Sequence, residues 1–276
     1  MNVRTRRRAK VTFTYVGVLV ILLVVLTPYL WLVLTSFKDR VDAFAIPPKV
    51  FFTPTLDNYL VAFGQKGFIQ NLANSAIVAA ISTALSLVVG VPAAYSLARF
   101  KLRGNRAYLL ILLAARLLPA IVLAVPLFIL FSGARLIDTY WALVLAYLTF
   151  NLPFTVWMMR GFFLAIPTEI DEAAIMDGCS YIGAFFKVVL PLTLGGLAAT
   201  AIFCVINSWN EFLFALILTG RHTATLPVAI PGLLTPYGTY WGQIAAVGTV
   251  TTMPVLLFAF IVQKYLVRGM TGGAVQ

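Results

Sequence analysis

Charge is missing from long stretches of this chain, and that absence restricts its fold more than any other feature. Lys10 to Lys38 encloses 27 uncharged residues, Lys66 to Arg99 encloses 32, and Asp138 to Arg160 encloses 21. A helix that crosses a bilayer takes about 20 apolar residues, and about 18 without charge already suggest one. The spacing predicts six spans, at about 12–36, 72–98, 108–131, 139–159, 194–218 and 241–263. The runs are continuously apolar and do not alternate, which favours helices over a barrel, and helices satisfy their own backbone hydrogen bonds in lipid. The expected fold class is therefore an all-α membrane protein with six transmembrane helices in one domain. A soluble domain carries about 25% charged residues; this chain has 11%. The first span is too long for the apolar core of a cleaved leader, and bulky residues follow it where cleavage requires small ones.

The net charge of +11 is a topology signal. With the N-terminus in the cytosol, the inner segments hold 13 Lys and Arg, the outer loops hold 6, and Arg116 lies within a span. This is the positive-inside bias. It places both termini in the cytosol and argues against nucleic acid as a partner. The two cysteines, Cys179 and Cys204, fall in a cytosolic loop and a span, so no disulfide is expected between them. There is no Cys/His cluster to suggest a metal, and His222 reads as an ordinary loop residue.

One polar cassette interrupts the apolar sequence. "EIDEAAIMDGCSYIGAFFKVVLPL", Glu169 to Leu192, falls in the loop 160–191, which the charge map puts in the cytosol. Thr168 is the expected N-cap of a short helix whose first turn carries Glu169, Asp171 and Glu172, where negative charge suits the helix dipole. Gly178 is the expected stop. The small Ala173 and Ala174 would let another surface approach, and the acidic turn would offer partners for Arg or Lys. The alternative is a solvated loop with ordinary capping.

The spacing Glu172-Ala173-Ala174, three residues, Gly178, nine residues, Val188, one residue, Leu190-Pro191 resembles the EAA motif of the permease subunits of bacterial ABC importers. Val188 stands in place of the usual Ile. "LDNY" at Leu56–Tyr59, "NS" at Asn74–Ser75, "AAYSLARFKLRG" at Ala93–Gly104, "WNEFLFAL" at Trp209–Leu216 and "RGMTGGAV" at Arg268–Val275 stand in the order seen in carbohydrate-uptake permeases similar to the six-span second permease of the maltose importer. The resemblance implies a type I importer architecture in the bacterial inner membrane. It implies a second permease chain as heterodimer partner, two ATPase subunits beneath, and an extracellular solute-binding protein that delivers a sugar. It implies that the loop forms a coupling helix docked on an ATPase, with Glu172, Ala173, Ala174, Asp177, Gly178, Leu190 and Pro191 as the coupling residues. The outer loop from Gly220 to Tyr240 would reach the binding protein, and the C-terminal tail the ATPase interface.

The chemistry is not expected on this chain. No G-x-x-x-x-G-K-[ST] occurs, so the phosphate cradle is absent. ATP and Mg would belong to the partner ATPases, and no catalytic, cofactor or metal residue is assigned here. Amides, a carboxylate and an indole in "INSWNEF" (Ile206–Phe212) make Asn207, Trp209, Asn210 and Glu211 candidates for a sugar path, with Arg116, Tyr147 and Asn151 beside them. Polar helix-to-helix packing is the competing reading. Arg116 and Glu211 are the ionisable groups within spans, and a direct pair between them is one possible arrangement. Polyols, glycerol phosphate and glycerol phosphodiesters are alternative cargoes. A stand-alone secondary transporter is the alternative class, although no inverted repeat is evident.

Overall fold

The computed structural model describes residues 3–65, 67–100, 103–235 and 238–271. In chain order its helices are α1 (Val3–Ser36), α2 (Arg40–Ala43), α3 (Asp57–Tyr59), α4 (Phe68–Arg99), α5 (Asn105–Leu117), α6 (Ala120–Gly133), α7 (Tyr140–Leu164), α8 (Thr168–Met176), α9 (Tyr181–Ala184), α10 (Leu190–Leu192), α11 (Leu194–Trp209), α12 (Leu213–Leu218), α13 (Leu226–Ala229) and α14 (Trp241–Thr271). Leu60–Gln65 and Phe185–Val189 are π-helical, and β1 (Leu234–Thr235) pairs antiparallel with β2 (Gly238–Thr239). Contacts group the chain into two compact units. The first is residues 1–68 with 230–253, and the second is residues 69–229 with 254–276.

Four helices are long and apolar enough to cross a membrane singly: Val11–Ser36, Phe68–Arg99, Tyr140–Leu164 and Trp241–Ile261. They match the first, second, fourth and sixth expected spans. The other two spans are not straight. The expected span 108–131 is broken into α5 and α6, which meet at 94°. Pro119 lacks an N–H and disfavours helical backbone at the residue before it, and Leu118 is accordingly extended (φ −64°, ψ 126°). The expected span 194–218 stops at Trp209 and resumes at Leu213 as α12. At its start, the stretch Tyr181–Leu192 meets α11 at 78°, with the Thr193 hydroxyl donating to the Leu190 carbonyl at 2.9 Å.

In the first unit, α1 leaves its apolar side chains from Val11 to Leu26 exposed. Its hydroxyls turn back on the helix: Thr27 donates to Leu23 O at 2.6 Å and Thr35 to Trp31 O at 2.8 Å. The segment "LDNY" ties down the end of α1. Asn58 donates to the carbonyls of Ser36 (2.9 Å) and Lys38 (2.7 Å), and the Tyr59 hydroxyl bonds Ser36 Oγ at 2.7 Å.

In the second unit α7 is the central helix, with Leu143, Val144, Tyr147, Met159 and Phe163 buried. Small residues let its neighbours close in, as expected where lipid offers no hydrophobic drive between helices. A Cβ on Gly196 of α11 would lie 2.4 Å from the Phe162 ring, and one on Gly90 of α4 would lie 2.7 Å from Thr155 Cγ2. One apolar cluster joins Val78, Phe131, Leu143, Tyr147, Phe214 and Leu218. A second joins Val91, Tyr95, Met159, Phe163, Phe185 and Val189. The α8 loop rests on this second cluster.

Candidate functional site

Pro167 precedes α8 and no side chain caps it, so Thr168 is the first helical residue and not the N-cap. The helix starts at the residue expected to cap it, which leaves Glu169 and Asp171 in the first turn and moves Glu172 beyond it. Asp171 and Ala174 are buried, while Glu169, Glu172, Ala173, Met176 and Asp177 are exposed. The two alanines of the motif therefore separate: Ala174 packs inside this chain and Ala173 stays on the free face. Gly178 ends the helix with φ +87°, a conformation that costs any other L-residue. Its N–H donates to Ile175 O at 2.9 Å and the Cys179 N–H donates to Ala174 O at 3.0 Å. These are the two bonds of a Schellman cap. Ser180 then caps α9 by accepting from Gly183 N at 3.1 Å. Leu190 and Pro191 sit in α10, at the bend before α11.

Asp171 fixes the free face in space. It accepts from the Tyr95 hydroxyl at 2.5 Å through one oxygen, and its other oxygen forms an ion pair with Arg99, 2.8 Å from Nε. Arg99 also donates to Ile166 O at 3.0 Å. The Tyr95 ring lies against Phe163 (5.5 Å between centroids) and Phe185 (4.8 Å). The last turn of α4 is thus clamped to both the start of α8 and the stretch that follows it. Sequence reasoning missed this clamp, although its signal was present: Tyr95 and Arg99 stand four apart on one helix face, within the "AAYSLARF" segment. Tyr181 and Ile182 in α9 and Phe186 just after it are exposed apolar side chains, as is Met176 of α8.

The residues proposed for a path divide by burial. Tyr147 and Asn151 are fully buried and Trp209 nearly so. Asn151 donates to Ser208 Oγ at 2.7 Å, and Ser208 bonds Ser82 Oγ at 3.1 Å, so these residues join α7, α11 and α4. Asn207 and Asn210 are exposed, and Asn210 donates back to Ile206 O at 2.9 Å. Glu211 sits in the break before α12 and accepts from Phe214 N at 2.8 Å and Ala215 N at 3.1 Å. It satisfies amides that a helix start leaves open, which explains a carboxylate in this apolar segment. Arg116 does not meet it. Arg116 lies in the last turn of α5, where a cation suits the helix dipole, and its guanidinium stands 5.0 Å from the Phe154 ring centroid.

A second loop of this unit has its own anchor, also unforeseen. Asp138 accepts from Gly220 N (2.9 Å), His222 N (3.2 Å), Thr223 N (3.0 Å) and Thr223 Oγ1 (2.8 Å). Burial pushes its carboxyl up, but the bonds from the Thr223 hydroxyl and the three amides outweigh this and hold it down at about 2. Asn74 donates to the carbonyls of His222 (3.0 Å) and Ala224 (2.9 Å), and Ser75 Oγ accepts from Leu226 N at 2.8 Å. These two are the "NS" pair. Within the expected docking loop, Pro236 and Tyr237 lie outside the described residues, as do residues 272–276 of the tail.

Residues 86–272 match the model of the binding-protein-dependent transport system inner membrane component family. The chain belongs to this family. The permease is 44% identical over 257 residues to the probable ABC transporter permease protein y4oR of Sinorhizobium fredii, covering 93% of this chain and 92% of that one. It is 32% identical over 265 residues to the trehalose/maltose transport system permease protein MalG of Thermococcus litoralis, covering 95% of each. Its fold is similar to a chain in the crystal structure of a bacterial ABC transporter involved in the import of the acidic polysaccharide alginate, with a TM-score of 0.78, 22% identity, and coverage of 96% of this chain and 98% of that one. The expected importer-permease class and fold are therefore met, and the third and fifth spans are broken helices.

Proposed function

We propose that this permease moves a sugar delivered by an extracellular solute-binding protein, in complex with a second permease chain and two ATPases. ATP and Mg would bind on the ATPases. One observation carries the coupling half of this reading: α8 presents Glu172, Ala173, Met176 and Asp177 outward while Asp171 clamps its inner face to Tyr95 and Arg99 of α4. A partner that grips the outer face would move α4 with it. Glu172 and Asp177 suit a basic group in the partner's cleft, and Met176, Ile182 and Phe186 suit an apolar floor. The termini and this loop would lie on the cytosolic side, in keeping with the charge bias.

The mechanism is a population shift. A ligand biases a conformational equilibrium only by its differential affinity for the two states. ATP would favour the state in which the coupling loops are drawn together, and the loaded binding protein would favour the outward-open form. The sugar class is supported by the names of relatives such as the trehalose/maltose permease. On this chain Asn207 and Asn210 are the candidates to touch cargo, with Glu211 holding the break beside them and Tyr147, Asn151 and Trp209 setting the helix packing behind.

The test is ATP hydrolysis by the co-expressed complex in membranes, with and without loaded binding protein, for wild type and Gly178→Pro. Proline cannot adopt the backbone of residue 178. We expect hydrolysis that rises with loaded binding protein in wild type and loses that rise in the variant. Solute movement in vesicles lacking ATP would overturn the reading.

A further inference from the structure

We infer that Lys38 anchors the phosphodiester headgroup of a membrane phospholipid. The site is a cavity of about 390 Å³ in the first unit, lined by Pro28, Trp31, Thr35, Lys38, Asp42 and Trp241 among others. Lys38 is 2% exposed. Its Nζ lies 4.1 Å from the Trp31 ring centroid and 5.3 Å from that of Phe52. Among the described residues no carboxylate pairs with it, since Asp42 on the same wall is held by Lys49. Aromatic faces recover part of the hydration that a buried ammonium loses, but less than a counter-anion does. A buried cation facing an open cavity is therefore a site that an anion completes.

The surroundings choose the kind of anion. The cavity lies at the C-terminal end of the first span, and no residue in the most apolar window of that span is buried within this chain. An anion held at Lys38 thus lies at the end of a helix whose apolar side chains are exposed from Val11 to Leu26. Trp31 and Trp241 are both exposed, and tryptophan favours the headgroup level of a bilayer. A small soluble anion would use the cation and leave these apolar side chains idle, whereas a phospholipid uses both. Asp42 also lines this cavity and only one of its oxygens is paired with Lys49, so a zwitterionic headgroup, with an ammonium beside its phosphate, suits the site better than one without.

The test uses the intact importer complex in nanodiscs of phosphatidylethanolamine and phosphatidylglycerol, followed by native mass spectrometry at energies that strip loosely held lipid. One phosphatidylethanolamine retained per copy of this chain is expected, with retention reduced at least tenfold in Lys38→Met and kept in Lys38→Arg. Ala45→Trp, which fills the cavity and leaves Lys38 in place, is expected to expel the lipid as well. It decides the matter if Lys38→Met does not assemble. Equal retention in wild type and in either assembled variant overturns the assignment. So does displacement of the lipid by soluble glycerophosphoethanolamine, which would make this a site for a soluble phosphodiester.

Discussion

Two loops of the second unit are held by different chemistry. The loop at 219–226 is held through its backbone: Asp138, Asn74 and Ser75 bond seven times to it, and only the Thr223 hydroxyl among its side chains takes part. The α8 loop is held through side chains, by Asp171 on Tyr95 and Arg99, and its backbone bonds stay within its own helix and cap apart from the Arg99 bond to Ile166 O. Bonds to backbone fix the path of a segment and say little about its side chains. A side-chain clamp on a short helix fixes a rigid body and leaves its other face free. The first arrangement suits a connector that keeps its shape, and the second suits a handle that transmits force.

The sharpest way to break this comparison is Asp171→Ala. It strands a buried Arg99, and removing one partner of a buried pair costs about 3–5 kcal/mol. Thermal unfolding of the purified complex should show the loss directly. The double variant Asp171→Leu with Arg99→Met should recover most of it, because well-packed apolar replacements of a buried pair are often neutral. The same double variant should nevertheless lose part of the ATPase stimulation by binding protein, since the directional grip is gone. A double variant with full stimulation would mean that packing alone carries the motion.

Asp138→Ala should cost less. Hydrogen bonds to a charged group contribute about 1.5–3 kcal/mol, and the partial exposure of this carboxylate puts the expected loss at the low end of that range. Hydrogen exchange should speed up at Gly220, His222 and Thr223 and leave α8 unchanged. Ser75→Ala removes the acceptor of the buried Leu226 N–H, for a loss of about 1 kcal/mol read by exchange at Leu226. If exchange at α8 accelerated in either variant, the two loops would be one cooperative element and the contrast would fail.

How much of this was legible in the sequence follows from which residues act locally. The spans were legible because hydropathy accumulates over some 20 residues. Gly178 was legible because a helix stop with positive φ selects glycine. The break at Leu118-Pro119 was written in the sequence but outweighed by hydropathy, since Pro92, Pro126 and Pro153 stand inside continuous helices. The break at Asn210–Phe212 was masked in the same way, and nothing local shows that Glu211 bonds the amides of Phe214 and Ala215 that follow it. Asp171 was counted as a dipole-stabilising residue of the first turn, and nothing local shows that it points inward. Its partners lie more than 70 positions earlier (the Tyr95 bond spans 76 residues), and Asp138 reaches partners more than 80 positions later. A single sequence does not pair such residues.

The smallest expected effect is the pH response of Asp138, and it tests the backbone-held loop most directly. Its hydrogen bonds hold the carboxyl at about 2 in the folded chain, below its ordinary value of 3.8. A depressed folded value means that protons bind the unfolded form more readily, so stability falls as pH falls. The contribution is fully present above about pH 4 and is lost as pH drops from there toward about 2. The difference in loop protection between wild type and Asp138→Asn, measured by hydrogen exchange at Gly220–Thr223, should therefore be constant from neutral pH down to about pH 4 and shrink below it. Asparagine can still accept, so any difference that persists unchanged at about pH 3 belongs to the shape of the carboxylate and not to its charge. That result would remove charge from the account of this loop and leave Asp171, with its Arg99 partner, as the ionic anchor of the pair.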